Sequence, residues 1–402
     1  MQILFVTYDF SGISTYSKEL INYLQMQGGI DIYCISLNNR EHKEFTIVHQ
    51  NCINYIAFPF IKNAQNDPEK YAHCCSLMLS NYIQSDSIPI VHVNHISHIS
   101  FVSAIKKTCP ACKIVFTCHY LDSVFSYLDI PAEKFYFKND IGILKMLRVA
   151  DKIIAVTKFS ENTISEKIGI PKSKVTCIYN GISLNNNARY HTHIQTKKIK
   201  TKFGFYDNER LILFVGRVNN DKGIDKLIQA FKNLHVRFSY LRLVVVGNGD
   251  YENVQPICSP LFSRVTFTGI LSIDEINELY QIAEIGVVPS EYDQCSYVAL
   301  EMMKHALPVV ISDVPGLNEL IQHNKNGMVC KTNQREGKAE GREVDVNELI
   351  QHIAYLLKNT KDAERLGQNA LKSVHKHHSV QLMGNKTLRV YKELISHKGF
   401  IA

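Results

Sequence analysis

The chain is predicted to be an α/β protein of two doubly wound parallel-sheet domains facing a central cleft. Three observations carry this prediction. Short Val- and Ile-rich runs alternate with amphipathic stretches through the first half. A turn pair at Asn180-Gly181 and a polar, basic stretch then interrupt the pattern, which restarts at Leu211. At 402 residues the chain exceeds one ordinary core, since a domain takes about 150 residues.

The first apolar run, residues 3–6, reads as a strand. It is followed by a helix carrying Tyr16, Leu20 and Leu24, then a strand over 30–37, which is the order of a βαβ unit. Runs at 88–93, 113–117, 152–156 and 175–178 extend the sheet, each dense in Val and Ile as buried parallel strands are. Residues 188–203 have no apolar periodicity and are expected to be the linker between domains 1–187 and 204–379. Beyond it come LILFV, LRLVVVG, VTFTG, IGVVPS and LPVVIS, spaced by helical stretches at 224–231 and 273–282. A second Rossmann-like domain follows, and in such sheets ligands bind beyond the carboxyl ends of the strands.

Composition narrows the function. With 45% hydrophobic and 21% charged residues the chain is ordinary globular protein. No apolar run reaches the roughly 18–20 residues a membrane span needs, and Asp9 interrupts the apolar start, so a cytoplasmic location is expected. The net charge of +7 is local: residues 1–187 carry 17 basic against 15 acidic groups and 203–402 carry 23 of each. The excess is Arg189, Lys197, Lys198, Lys200 and Lys202. Such a patch suits a solvated linker, or peripheral contact with anionic lipid at the inner face of a membrane, and gives no reason to expect nucleic acid. Eleven cysteines without a secretory leader read as reduced thiols. Cys109 and Cys112 form one CxxC with no second pair, too little for a zinc site. His92, His95 and His98 follow an apolar run and are expected on a loop lining a polar cleft.

The candidate site residues all come just after strands. In FSGIS, Gly12 turns the chain toward a helix whose N-terminal N–H groups can face an anion. In GRVNNDKGID, Arg217 and Lys222 stand five residues apart across a Gly-bounded loop. The Arg can grip a diphosphate with paired donors and the Lys can add a compact charge. In PSEYDQCSYVALEMM, Asp293 precedes a helix expected to start near Ser296 and Glu301 lies more than one turn inside it. Ser296 can cap that helix, and the N–H groups of Ser296, Tyr297 and Val298 would then point at a phosphate.

With FTCHY and its His119, ADKIIAVTKFS, CIYNGI, VVVGNGD and VTFTGIL in the same order, these segments resemble the retaining GT-B glycosyltransferases of family 4 over nearly the whole chain. The resemblance implies a GT-B fold in which the last helix, at 380–402, completes the first domain. It implies that Arg217 and Lys222 contact the donor diphosphate, that Glu301 contacts the donor ribose, that Asp293 approaches the transferred sugar, and that His119 stands near the reacting centre. The chain departs from the family in three places: Asp293 where Glu is usual, Gln294-Cys295-Ser296 where a Gly-aromatic-Gly run is usual, and Ser11-Gly12 where a double Gly is usual.

The expected chemistry is transfer of a sugar, with retention, from a UDP- or GDP-sugar to the hydroxyl of a sugar or lipid-linked sugar acceptor in polysaccharide or glycolipid assembly. No cofactor is expected. No Asp-x-Asp is present to bridge a divalent ion, and Arg217 with Lys222 can supply the counter-charge, so no metal is expected either. Two other readings share the architecture: a catalytically silent sugar-nucleotide or partner binder, and a nucleotide-sugar epimerase.

Overall fold

The computed structural model describes residues 1–7, 15–39, 43–62, 67–83, 88–119, 121, 138–184, 193–334 and 342–396. The chain divides into two compact units, Met1–Gly181 with Val380–Ala402, and Ile182–Ser379. Each is built on a sheet with helices, as the alternating pattern requires.

Among the described residues the first unit holds eight strands: β1 (Gln2–Thr7), β2 (Asp31–Asn39), β3 (Thr46–Gln50), β4 (Ile53–Pro59), β5 (Ile90–Val93), β6 (Lys113–Cys118), β7 (Lys152–Ala155) and β8 (Val175–Cys177). Their order is β3-β4-β2-β1-β5-β6-β7-β8. All pairs are parallel except β3 with β4. The run Ile3–Val6 is buried along its length because both faces of a central parallel strand are covered. The edge strand β3 is instead mostly exposed. Helix Val380–Ser396 lies on helix Thr15–Gln25: a Cβ at Gly384 would come within 2.1 Å of the Tyr23 ring. The Tyr23 hydroxyl donates to Asn385 Oδ1 at 2.7 Å.

The main sheet of the second unit holds β9 (Arg210–Val215), β10 (Leu241–Val246), β11 (Val265–Gly269), β12 (Ile285–Val288), β13 (Val309–Ser312) and β14 (Met328–Cys330), all parallel in the order β11-β10-β9-β12-β13-β14. Strand order reverses between β1 and β5 in the first unit and between β9 and β12 in the second. Open α/β sheets leave their binding crevice at such switch points.

Residues 188–203, expected as the interdomain linker, contain helix His193–Lys202, which belongs to the second unit. Periodicity missed it because it buries no side chain. It is fastened by charge: Lys202 pairs with Glu278 at 2.5 Å and Lys197 with Asp207 at 3.0 Å. Lys200 Nζ donates to the carbonyls of Asp207 and Glu209 at 2.8 and 2.7 Å. Below it, Glu209 is fully buried between Arg242 (2.7 Å) and Arg264 (3.1 Å).

Candidate functional site

The second unit's site grows from the ends of β9 and β12. After β9 the side chain of Asn219 accepts the Lys222 N–H at 3.2 Å, closing a single tight turn over Asn220–Lys222. Gly223 then takes φ 68°, and a Cβ there would fall 2.0 Å from the Pro289 carbonyl oxygen, so only glycine lets the loops approach. The Glu291 N–H donates to the Asp221 carbonyl at 2.9 Å and ties the two loops together.

This closure sets Lys222 Nζ 2.9 Å from Asp293 Oδ2, with both side chains partly sheltered. The Ser290 hydroxyl donates to the same oxygen at 3.5 Å. Arg217, on the same loop, is exposed. Asp293 is further fixed by a backbone bridge to Gly316, whose φ of 95° brings it within 2.5 Å, measured from an added Cβ, of the Gln294 carbonyl oxygen. Gln294, Cys295 and Ser296 are buried and none has positive φ. The backbone therefore makes no demand for glycine where the family's Gly-aromatic-Gly run is replaced.

Ser296 caps helix Tyr297–Lys304, its Oγ accepting the Ala299 N–H at 3.4 Å. This sets the first-turn N–H groups, with Tyr297 and Val298, at the positive end of the helix dipole. Glu301, further along, accepts from the Tyr280 hydroxyl at 2.8 Å. Tyr280 is fully buried on helix Ile273–Ile282 and stacks on His305 at 5.3 Å between ring centroids. Burial first, then the Glu301 charge, push its hydroxyl well above the ordinary range, so it remains a donor and fixes the carboxylate. Tyr280 was not among the sequence-predicted site residues. Its one signal is a hydroxyl on the inward face of an otherwise apolar helical pattern.

In the first unit, Gly12 lies outside the described residues. His119 follows β6 directly and meets the edge of Tyr16 at 4.6 Å between centroids. Its Nε2 is buried and has no hydrogen-bond partner among the described residues. Beside it runs a buried network: Tyr16 Oη to Thr117 Oγ1 at 3.1 Å, Thr117 Oγ1 to His92 Nε2 at 2.7 Å, and His92 Nδ1 to the Tyr391 hydroxyl. Burial, then the neighbouring His119, push His92 down to about 3. Burial, then His95, push His119 down to about 4. Both rings are neutral at neutral pH. The loop expected to carry three histidines is therefore corrected: His92 belongs to β5, buried because the strand runs on through it. His95 accepts the Ser97 N–H at a short turn, and His98 is buried. Cys112 is fully buried and its thiol, pushed up to about 12 by burial, packs as a small apolar group.

Two family models match consecutive parts of the chain: Glycosyltransferase Family 4 over residues 10–186 and Glycosyl transferases group 1 over residues 195–373. The chain is a GT-B glycosyltransferase of the family 4 type. An uncharacterized glycosyltransferase of Methanocaldococcus jannaschii is 32% identical over 60% of this chain and 60% of its own length. The alpha-D-kanosaminyltransferase of Streptomyces kanamyceticus is 25% identical over 62% of each. The matched region thus spans under two thirds of both relatives. Among solved structures, the sucrose-phosphate synthase of Thermosynechococcus elongatus is 18% identical with a TM-score of 0.78, covering 99% of this chain and 100% of that one. Anabaena HepE, solved with UDP-glucose, is 18% identical with a TM-score of 0.75, covering 98% and 100%. These likenesses establish the GT-B fold. Within this family 4-type chain, the Lys222–Asp293 and Tyr280–Glu301 pairs fall inside the group 1 match, and His119 falls inside the family 4 match.

Proposed function

We propose that this protein is a retaining glycosyltransferase that moves a sugar from a UDP- or GDP-sugar to the hydroxyl of a sugar or lipid-linked sugar acceptor, in polysaccharide or glycolipid assembly. The observation that carries the reading is the set of groups gathered at the β9/β12 switch point: Lys222 held at 2.9 Å from Asp293, and Glu301 held by Tyr280. As the bond from the anomeric carbon to the diphosphate breaks and a bond to the acceptor oxygen forms, negative charge grows on the diphosphate. Arg217, Lys222 and the first-turn N–H groups of Ser296, Tyr297 and Val298 are assigned to that charge, which makes a metal unnecessary. Glu301 is assigned to the donor ribose and Asp293 to a hydroxyl of the transferred sugar. In the first unit the neutral His119 ring is assigned to a substrate hydroxyl, its buried Nε2 being the group that needs a partner. That HepE, of the same fold, was solved with UDP-glucose supports a nucleotide-sugar donor. A cytoplasmic enzyme touching anionic membrane belongs to this reading as the route to a lipid-linked acceptor. Lys197, Lys200 and Lys202 add little to such a contact, since each is held by an acidic or carbonyl partner of its own unit.

The test is nucleotide release from UDP- and GDP-sugars across a panel of free and lipid-linked acceptors, in excess chelator. Acceptor-dependent release is expected. Tight binding with no turnover would move the protein to the silent readers of sugar nucleotides, acceptor-free isomerisation would make it an epimerase, and loss on chelation restored by Mg²⁺ would overturn the metal-free assignment.

A further inference from the structure

Lys222, the cation assigned to the diphosphate, is already occupied by a carboxylate. Its ammonium lies 2.9 Å from Asp293 Oδ2, and the two side chains retain only 24% and 16% of their exposure. Asp293 is not a chance neighbour. The turn at Gly223 and the bond between Glu291 and Asp221 close the two loops on each other, and the bridge to Gly316 fixes the backbone of Asp293 itself. Any diphosphate that reaches Lys222 therefore arrives beside a fixed negative charge.

That charge treats donor and product differently. In an intact nucleotide sugar the terminal phosphate is esterified and keeps one ionisable oxygen. In the free nucleoside diphosphate it gains a second, whose pKa is about 6, the same scale as the second ionisation of a phosphate monoester, and is more negative at neutral pH. An ionised carboxylate can only accept hydrogen bonds. The sugar of the donor offers it hydroxyl protons; the bare terminal phosphate offers only further negative charge. We infer that Asp293 is a specificity-determining residue that favours intact donor over free nucleoside diphosphate and so weakens the product once the sugar has left. The inference rests on the proposed function, which assigns Lys222 to the diphosphate.

Calorimetry on the full chain tests it with UDP against UDP-glucose and GDP against GDP-mannose, using whichever pair the wild type binds. Asp293→Asn should move the two ligands in opposite directions. The free diphosphate should bind about fivefold tighter, the scale of one partly exposed ion pair released. The nucleotide sugar should bind about tenfold weaker, the scale of one hydrogen bond to a charged group. Asp293→Ser, which also removes the charge, should reproduce the crossing, and melting curves establish that both variants are folded. Parallel changes in both ligands, or an unchanged ratio between them, overturn the role of Asp293 while leaving the transferase reading standing. Failure of the wild type to bind either pair overturns the transferase reading and this inference with it.

Discussion

At the strand ends of the first unit the polar side chains are neutral and sealed: His92 lies between Thr117 and Tyr391, with Tyr16 closing the row. At the strand ends of the second they are charged and partly open, with Lys222 against Asp293 and Arg217 in solvent. A neutral hydrogen-bonded row can be buried at modest cost, whereas a buried charge must be paired or pay heavily for desolvation. The second unit does bury one charge completely, Glu209, and surrounds it with two arginines. Polarity at the strand ends of the first unit is thus neutral and internally hydrogen-bonded, and polarity at those of the second is charged and partly open to solvent.

Acid should separate the two most strongly. His92 and His98, buried, are held down to about 3 from the ordinary 6.5. Below 6.5 the unfolded chain takes up protons that the folded rings refuse. Stability present above that pH is therefore lost as pH falls toward 3, by about 1.4 kcal/mol per pH unit for each histidine. Burial pushes the Glu209 carboxyl up, but the hydrogen bonds and charge of Arg242, the Tyr206 N–H and Arg264 outweigh it and hold the group below its ordinary 4.5. Its contribution is lost only below that value. His235 and His352 of the second unit are also shifted down but are only half-buried, and that unit buries two further histidines, His305 and His378. Calorimetric scans from pH 7.5 to 4.5 should show the first unit's transition falling earlier and more steeply. Two transitions falling in step over that range would show that His92 and His98 do not govern acid stability.

The second contrast is between what a site residue does for the fold and what it does for a reaction. Under the proposed function Lys222→Ala removes one cation assigned to the leaving diphosphate, and loss of one such transition-state contact costs roughly 10²–10³ in turnover. Its ion pair is partly exposed, so the folded state should lose no more than about 1 kcal/mol. Turnover at saturating donor, alongside a melting curve, checks both halves. Near-normal turnover would remove Lys222 from the chemistry, and a collapse in melting temperature would make it a structural residue.

Much of this was legible before any coordinates, because Val- and Ile-rich runs and the glycines and prolines that end them are local signals. The strand ends carrying Arg217, Lys222 and Asp293, and the cap at Ser296, are of that kind. What escaped depends on partners distant in sequence. Helix His193–Lys202 has no apolar stripe and is recognised only through Glu278, Asp207 and Glu209. His92 looks like a loop histidine until Thr117 and Tyr391 are known to flank it. The Lys222–Asp293 pair joins residues 71 positions apart. No spacing rule encodes that distance.

The smallest effect sharpens the comparison most, because it concerns a neutral group serving a charged one. Tyr280 is as buried as Tyr16 and Tyr391 of the first unit, yet its hydroxyl donates to a carboxylate assigned to the ligand, Glu301, at 2.8 Å. Tyr280→Phe keeps the ring on His305 and removes only that donor. If the bond aligns Glu301 for the ribose, bare UDP or GDP should bind about three- to tenfold more weakly, the scale of about 0.5–1.5 kcal/mol for one hydrogen bond. Turnover at saturating donor should stay within about twofold, because a contact made equally in the ground and transition states changes KM and not kcat. Glu301→Gln should weaken the nucleotide at least as much, and adding Tyr280→Phe to it should cost little more, since the two act through one bond. Additive losses in the double variant would show that the Tyr280 hydroxyl acts independently of Glu301.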